Sequence, residues 1–356
     1  MSSFFPDRLQ APELWDLGVL DVFLQHLNEA KAPMTPSLQM TPAIDRALMA
    51  LTGILKSSSY FEQYKEELTP KLLKAWPGVF KWSVFFAATR DLPAAPPKLR
   101  RSSSDLISGT WFSFVRADRV KIRMAETAGS IEIITKLWLE EDSHIMPPSV
   151  IDIPSASAVL DSLLRNEDYE ENKGSREKPD RFLKAAGGSA KNVARLMMSR
   201  MKTVMSGPRQ QAHENRTAIY LDLIGHMSML RTHPLRHAFL SAGIIETCVK
   251  AALAATKQLN GAGSPDGGDL FGPLVASLGY LVNCIESTDG FSWIIQAVKA
   301  GLLIAFADAS PHFDSIDEEE QGWLLKIITD LLPRYTVYRS VVLAIDAQVP
   351  PDNSSV

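Results

Sequence analysis

Apolar residues recur along this chain at intervals of three and four positions. The segment 12–28 carries one such stripe, formed by Leu20, Phe23, Leu24 and Leu27. This spacing places apolar side chains on one face of an amphipathic helix. Another helix is expected to take Thr41 as its N-cap and Pro42 as its first residue, and to run through Leu55, because these residue types favour those positions.

The same period continues along the rest of the chain. No stretch longer than a few residues alternates apolar with polar positions, as a half-buried strand does. We therefore predict an all-α fold. The other helices are predicted over 59–75, 78–91, 104–116, 129–142, 155–165, 180–205, 208–231, 234–241, 243–258, 268–287, 289–300, 302–309 and 316–346.

The last of these helices, over 316–346, contains two local signals. Ser315 and Glu318 have the spacing of a capping box, which places the start of the helix at this pair. Pro333 has no backbone N–H to donate, so it is expected to kink or split the helix.

Glycine separates a shorter from a longer predicted helix at regularly spaced places. Three windows share a preceding alanine and apolar residues two and five positions later, at Gly129, Gly243 and Gly301. Weaker copies start at Gly18, Gly78 and Gly188. Either the twenty glycines supply these windows by chance, or the windows mark a repeat in which glycine makes the turn, because it tolerates positive φ.

Repeats of this kind bury their apolar faces by stacking on their neighbours. We therefore interpret the chain as an armadillo/HEAT-like helical-repeat solenoid, an α-α superhelix. The windows lie 51 to 60 residues apart, more than the roughly 40–47 residues of those repeats. Long inter-repeat loops are expected to absorb the excess, in the segments 92–101, 166–180 and 260–268.

The loops divide the chain into predicted domains. We expect N-terminal helical repeats over 1–165 and C-terminal helical repeats over 181–346. Between them, 166–180 is highly charged and has little apolar content, so it is expected to be disordered. The tail over 347–356 is expected to be flexible.

Composition excludes several classes of protein. The net charge of −4 argues against a dedicated nucleic-acid binder, which carries a basic excess. Cys248 and Cys284 lie in apolar stretches, where cysteine acts as a small hydrophobe, and two cysteines make no disulfide-rich scaffold. No apolar run reaches the ~20 residues of a membrane span. We expect no transmembrane segment and an intracellular location, cytoplasmic or nuclear.

The segment 173–209 has a strong local charge, with ten Lys or Arg and two acidic residues. Within it, one helix face is basic, formed by Lys191, Arg195 and Lys202 together with Ser199, and the opposite face is rich in Met. Basic amphipathic helices of this kind bind anionic membranes or the grooves of helix-binding proteins. The alternative is an ordinary repeat helix with a buried apolar face and a solvated basic face. We name Lys191, Arg195 and Lys202 as candidate binding residues.

His233 and His237 have the i, i+4 spacing of zinc-binding helices, with His226 as the nearest further ligand. Pro234 occupies the place of the catalytic Glu in such motifs, so ordinary surface or partly buried histidines are the preferred interpretation. No other catalytic or cofactor-binding signature is present. We expect no cofactor and no metal, and a non-enzymatic protein is favoured over an all-α enzyme with dispersed catalytic residues.

Ser103 lies in a basic context that is typical of kinase substrates, the run Arg100-Arg101-Ser102-Ser103-Ser104-Asp105. A phosphate there would add about two negative charges beside the arginines. The expected loop at this position makes the serine accessible. The alternative is a helix start that one of the serines caps.

The C-terminal stretch 323–345, and above all Leu332-Pro-Arg-Tyr335-Thr-Val-Tyr338-Arg339-Ser340-Val341, resembles the last helix before the zinc finger in fungal MYND-finger proteins. The helical repeats upstream are similar to the armadillo-like region of that family. No paired Cys-x-x-Cys ligands follow in this sequence, so the resemblance implies no zinc-ligating residue here. It implies a helical scaffold, in a short form or a truncated version of such a protein.

These observations favour a protein-interaction scaffold or adaptor, which presents a helical-repeat surface to a peptide or protein partner of anionic character. Two alternatives stay open. One is the all-α enzyme, and the other is a peripheral binder of anionic membranes through the basic helix 190–205. Nothing in the sequence indicates the oligomeric state.

Overall fold

The computed structural model describes residues 18–57, 61, 63–141, 154–165, 176–206, 211–261, 271–287 and 291–348. Every regular element within these ranges is helical, so the predicted all-α fold is confirmed. The chain divides into two compact units, Met1–Arg165 with Asp180–Gly187, and Asn166–Pro179 with Gly188–Val356. No single helix in the described ranges is long and apolar enough to cross a membrane, although two bent helix pairs meet that criterion by length and composition.

The first unit is built from helices of eight to 26 residues. A 3₁₀ turn, Glu29–Lys31, follows the first of them. The helices are α1 (Val19–His26), α2 (Pro42–Lys56), α3 (Lys65–Arg90), α4 (Pro97–Val115), α5 (Asp118–Glu126), α6 (Ser130–Leu139), α7 (Ser155–Leu164) and α8 (Glu177–Ala185).

The second unit is built from helices of four to 18 residues. A 3₁₀ segment, Ser310–Ser315, precedes α16, and a π-helical turn, Ile327–Leu331, follows it. The helices are α9 (Ala190–Ser206), α10 (Gln211–Ser228), α11 (Pro234–Ser241), α12 (Ile244–Gly261), α13 (Phe271–Ser287), α14 (Ser292–Ala300), α15 (Leu302–Ala309), α16 (Glu318–Lys326), α17 (Leu332–Tyr335) and α18 (Arg339–Asp346).

Five of the six glycines that the sequence predicts as turns have positive φ. Their φ angles lie between 77° and 108°, a region that disfavours residues with a Cβ. Each of these glycines stands at the start of a helix or between two helices, at Gly18, Gly129, Gly188, Gly243 and Gly301.

The predicted turn at Gly78 is wrong. The helices expected over 59–75 and 78–91 are joined in the single helix α3, and Gly78 lies in its interior. Glycine is needed there for a different reason, since a Cβ on Gly78 would lie 2.0 Å from the carbonyl oxygen of Leu27. Its missing side chain allows the end of α1 to approach α3 closely.

Equivalent helices of successive windows pack side by side within each unit. In the second unit, α13 packs between α10 and α16. The approach is close, because a Cβ on Gly279 of α13 would lie 2.7 Å from the ring of Trp323 in α16. In the first unit, α4 packs between α2 and α7 in the same way. Each unit therefore contains a row of neighbouring helices.

The predicted helix over 316–346 is interrupted, as Pro333 indicates. The π-helical turn Ile327–Leu331 precedes Pro333, whose ring disfavours a regular α-helical turn before it. The chain continues as α17 and, after a turn, as α18. The predicted capping box is wrong, because the carboxylate of Asp317 accepts a 3.0 Å hydrogen bond from the Glu319 N–H and Ser315 belongs to the 3₁₀ segment.

Other boundaries also differ from the prediction, and α5 lies between two predicted helices, where none was expected. The helix expected over 180–205 is divided into α8 and α9, because Gly187 and Gly188 both have positive φ. Helix α4 begins at Pro97, so only the first part of the loop expected over 92–101 is irregular. Most of the loop 166–180 and of the tail 347–356 lies outside the described residues, as does most of 260–268.

Candidate binding surfaces

Helix α9 carries the basic face that the sequence singled out. Its apolar side is buried against α10, α11 and α12 of the same unit. The buried residues on that side are Val193, Ala194, Met197, Met201 and Val204. At its start, the Ser189 hydroxyl accepts a 3.3 Å hydrogen bond from the Asn192 N–H. The helix is thus held by its apolar face, and its orientation follows from that packing.

Lys191, Arg195 and Lys202 are all exposed on the opposite side. At 3.6 residues per turn they lie within about 40° of one another around the helix axis, along about 16 Å of its length. Helix α9 contains no Asp or Glu, and none of the three cations forms an ion pair with a residue in the described part of the chain. Arg200, a fourth cation of this helix, is buried and does not contribute to the face.

A second surface feature lies in the first unit and was not predicted. It is an open groove of about 300 Å³ between α3 and α5. Its lining residues come from three separate segments, Glu29 before α2, the middle of α3, and the end of α5 with the turn after it. They are Glu29, Trp76, Pro77, Phe80, Lys81, Val84, Arg123 and Thr127. No pattern along the sequence joins these positions.

The inner wall of the groove is fixed by hydrogen bonds and ring contacts. The Trp76 Nε1–H donates a 2.8 Å hydrogen bond to the Thr127 hydroxyl, and that hydroxyl donates in turn to the Arg123 carbonyl oxygen at 2.7 Å. The Trp76 ring packs edge-on against Trp111, with the ring centroids 5.2 Å apart. Trp111 itself donates a 2.9 Å hydrogen bond to the Ser83 hydroxyl.

The three histidines do not form a metal site. His233 is buried at the start of α11, where its Nδ1 accepts a 3.3 Å hydrogen bond from the Leu235 N–H. His237 is exposed, so the i, i+4 spacing does not place the two rings on one face. Within the described residues, no group of three or more metal-binding side chains lies close enough to hold an ion.

Cys248 and Cys284 are both buried, and no disulfide joins them. Burial raises the pKa of both thiols above the ordinary value of 9.0, and burial also raises the pKa of the Tyr280 hydroxyl. A nucleophilic cysteine needs a lowered pKa and access to solvent. These thiols have the opposite properties, which fits a packing role.

Arg236 is buried beside this cluster, with 1% of its surface exposed. Its guanidinium donates to the carbonyl oxygens of Ser228 at 3.1 Å and Asn283 at 2.9 Å. These carbonyls belong to the last turns of α10 and α13, where a cation interacts favourably with the helix dipole. The side chain therefore holds two neighbouring helix ends together, and it is not accessible to a ligand.

Ser103 lies inside α4, and only 5% of its surface is exposed. The prediction of a loop at this serine is wrong, because α4 already begins at Pro97. A kinase binds its substrate in an accessible segment, so modification of Ser103 requires this part of the helix to open. Ser102, the preceding residue, is exposed.

The comparisons with known proteins give no family for this chain. No family model matches it, and no curated protein or solved structure matches it.

Proposed function

We propose that the protein is a non-enzymatic interaction scaffold, whose α9 basic face binds an acidic segment of a protein partner. The observation that carries the proposal is the exposed row of Lys191, Arg195 and Lys202 on a helix without acidic residues. Exposed cations that form no ion pair with the described part of the chain create a positive potential, which attracts an acidic chain and orients it.

The arrangement of helices supports a scaffold role. Rows of equivalent helices within each unit are the packing expected of armadillo/HEAT-like repeats, and we include a solenoid of that type in the proposal. Such arrays present long surfaces to peptides and proteins. The sequence resemblance of residues 332–341 to the segment that precedes a MYND finger favours the same class of function.

The packing of α9 argues against the membrane alternative. An amphipathic helix binds a bilayer by burying its apolar face among the lipids, but Val193, Met197 and Met201 are already buried in the protein core. Only the cations are left for a lipid surface. Cys248 and Cys284 are buried and form no disulfide, which suits a reducing compartment, and we therefore propose a location inside the cell, in the cytoplasm or the nucleus.

The test uses a charge reversal with a matched control. The test variant carries Lys191→Glu, Arg195→Glu and Lys202→Glu. The control carries Lys257→Glu, Lys299→Glu and Arg339→Glu, three exposed cations of the same unit on other helices, so both variants change the net charge equally. The probe is a fluorescein-labelled decaglutamate peptide, and its binding is measured by anisotropy with the full chain.

We expect the wild type to bind the peptide, the test variant to bind at least tenfold more weakly, and the control to stay within about threefold of the wild type, since distant exposed charges are largely screened. Equal losses in the two variants, or no binding by the wild type, would contradict the proposal. The membrane alternative would be favoured instead if the protein does not bind the peptide but sediments with phosphatidylserine vesicles, and if the three charge reversals abolish that sedimentation.

A further inference from the structure

We propose that the groove between α3 and α5 is a second binding site, which takes one large apolar side chain with a neighbouring carboxylate from an acidic peptide segment of a partner protein. The groove lies in the first unit and shares no residue with the α9 face. The inference therefore goes beyond the proposed function and does not depend on it.

The apolar part of the site is formed by α3. Phe80 and Val84 lie one helical turn apart on the same face and line the groove together with Trp76. Val84 is 40% exposed and Phe80 is partly exposed, so the two side chains present apolar surface to solvent. An apolar side chain that covered Phe80 and Val84 would remove this surface from water, which is the main favourable contribution to such binding.

The wall behind this surface is already in place without a ligand. Trp76 is hydrogen-bonded to Thr127 and packed against Trp111, so its ring cannot turn away without breaking both contacts. A preformed wall lowers the entropy lost on binding. Trp76 itself is only 1% exposed, so it supports the groove from behind, and Phe80 and Val84 provide the apolar surface that a ligand would contact.

The charges around the groove select an acidic ligand. Lys81 comes from α3 and Arg123 from α5, and neither forms an ion pair with a residue in the described ranges. Glu29 is the single acidic residue among the eight that line the groove. A carboxylate next to the bound apolar side chain would reach one of the two cations, and Arg binds carboxylates through two parallel hydrogen bonds.

The volume limits the size of the ligand. Pockets for small molecules and cofactors span roughly 300–1,000 Å³, so this groove is at the lower end of the range. It is also open to solvent along the surface. The groove has space for one large side chain, has cations at its edge and is not enclosed. These properties suit a segment of peptide chain better than a small molecule.

The probe is the peptide Gly-Ser-Asp-Phe-Asp-Ser-Gly with 4-fluorophenylalanine at its centre. Its binding to the full chain is followed by fluorine NMR, which detects weak association. Two companion peptides separate the contributions, one with Asn in place of both Asp residues and one with difluoroalanine in place of the aromatic residue. We expect both companions to bind at least fivefold more weakly than the probe.

Protein variants test the site itself. Lys81→Glu and Arg123→Glu should each weaken binding of the probe five- to tenfold. Lys136 is an exposed cation on α6 outside the groove, and Lys136→Glu should keep the affinity within twofold of the wild type. Val84→Ser should weaken binding of the probe. Val22→Ser, at a valine of α1 that is 50% exposed and lies outside the groove, should leave it unchanged. The melting temperature of each variant shows that it is folded.

The variant that reverses Lys191, Arg195 and Lys202 provides a further control, because these residues belong to the other unit. It should bind the probe as the wild type does, so a failure of the α9 proposal and a failure at the groove are distinguishable. Three results would overturn the inference. The Asn peptide could bind as tightly as the probe, Lys81→Glu and Lys136→Glu could have equal effects, or the probe could fail to bind at millimolar concentration. If Lys81→Glu fails to fold, Arg123→Glu alone decides, since Arg123 is exposed.

Discussion

The guanidinium of Arg236 donates a 2.6 Å hydrogen bond to the side-chain oxygen of Asn283 and a 2.9 Å hydrogen bond to its backbone carbonyl. One buried cation thus binds the same residue twice, at the C-terminal end of α13. It also binds the last residue of α10, Ser228. The ends of two neighbouring helices depend on this side chain.

Arg236→Met should therefore destabilise the protein strongly. Methionine fills much of the same volume, but it removes the hydrogen bonds that Arg236 donates to the carbonyl oxygens of Ser228 and Asn283, at about 1–3 kcal/mol for each. We expect a loss of about 3 kcal/mol or more, measured from urea unfolding. Arg339→Met, on the exposed start of α18, is the control and should change stability by less than about 0.5 kcal/mol. A similar small effect at Arg236 would contradict the structure.

Gly78→Ala and Gly243→Ala should differ, because the two glycines serve different purposes. At Gly78 the new methyl group would meet the Leu27 carbonyl at 2.0 Å, so the backbone of α1 or α3 must move. We expect a cost of about 3 kcal/mol, the upper range for overpacking. At Gly243 there is open space, and alanine meets only the strain of φ 87°, about 1–2 kcal/mol. The melting temperatures of both variants test whether Gly78→Ala destabilises the protein more than Gly243→Ala does. A larger loss for Gly243→Ala would contradict this prediction.

Glu132 and Arg181 give unit 1 a pH-dependent contribution to stability. The Arg181 side chain donates two 2.9 Å hydrogen bonds to the Glu132 carboxylate, and chiefly for this reason the pKa of Glu132 is below its ordinary 4.5. The folded state thus favours the charged carboxylate more than the unfolded chain does. The stabilisation is complete above pH 4.5 and is lost as the pH falls through the lower folded pKa.

Glu132→Gln should reduce the free energy of unfolding at pH 7 by at most about 1 kcal/mol, because the pair is partly exposed. The difference from the wild type should shrink below pH 4.5 and vanish in stronger acid. Unfolding in urea at several pH values measures it. Glu126→Gln, an exposed carboxylate in the same unit, should show no comparable dependence. A difference that stays constant from pH 7 into acid would exclude the ion pair as its cause.

Ser103 should resist phosphorylation while the protein is folded, because it is buried within α4. A basophilic kinase at 25 °C is expected to modify Ser102 or neither residue, as read by mass spectrometry. Ser103→Asp should destabilise the protein by about 2 kcal/mol or more, since it buries a charge, whereas Ser102→Asp near the helix start should be nearly neutral. Rapid modification of Ser103 in the native protein would contradict its buried position.

The periodic features of the chain were predictable because they depend on local residues. The 3.6-residue period places the buried Val193, Met197 and Met201 and the exposed Lys191, Arg195 and Lys202 on opposite faces of α9, as the structure does. The turn glycines were found by their spacing. Such local signals fail where a residue is required by a contact with a distant part of the sequence. The prediction of a turn at Gly78 is wrong because glycine is needed there to make room for the carbonyl oxygen of Leu27, which lies 51 positions away in sequence.

The groove between α3 and α5 was missed for the same reason. Trp76 and Thr127 are joined by a hydrogen bond across 51 residues, and neither position belongs to a recognisable motif. Ser103 was expected to be accessible because of the prolines before it. Pro97 instead occupies the first position of α4, where a proline needs no N–H partner, and the helix therefore includes the serine.

The central claim, that the α9 face binds an acidic partner segment, is tested most directly by the salt dependence of decaglutamate binding. We expect the Kd of the wild type to rise at least fivefold between 50 and 150 mM NaCl, because exposed charge pairs are screened over about 10 Å at 0.1 M salt. The variant that reverses Lys191, Arg195 and Lys202 should lose this dependence together with its affinity. A wild-type affinity that is unaffected by salt, or a variant that keeps the same slope, would contradict the account.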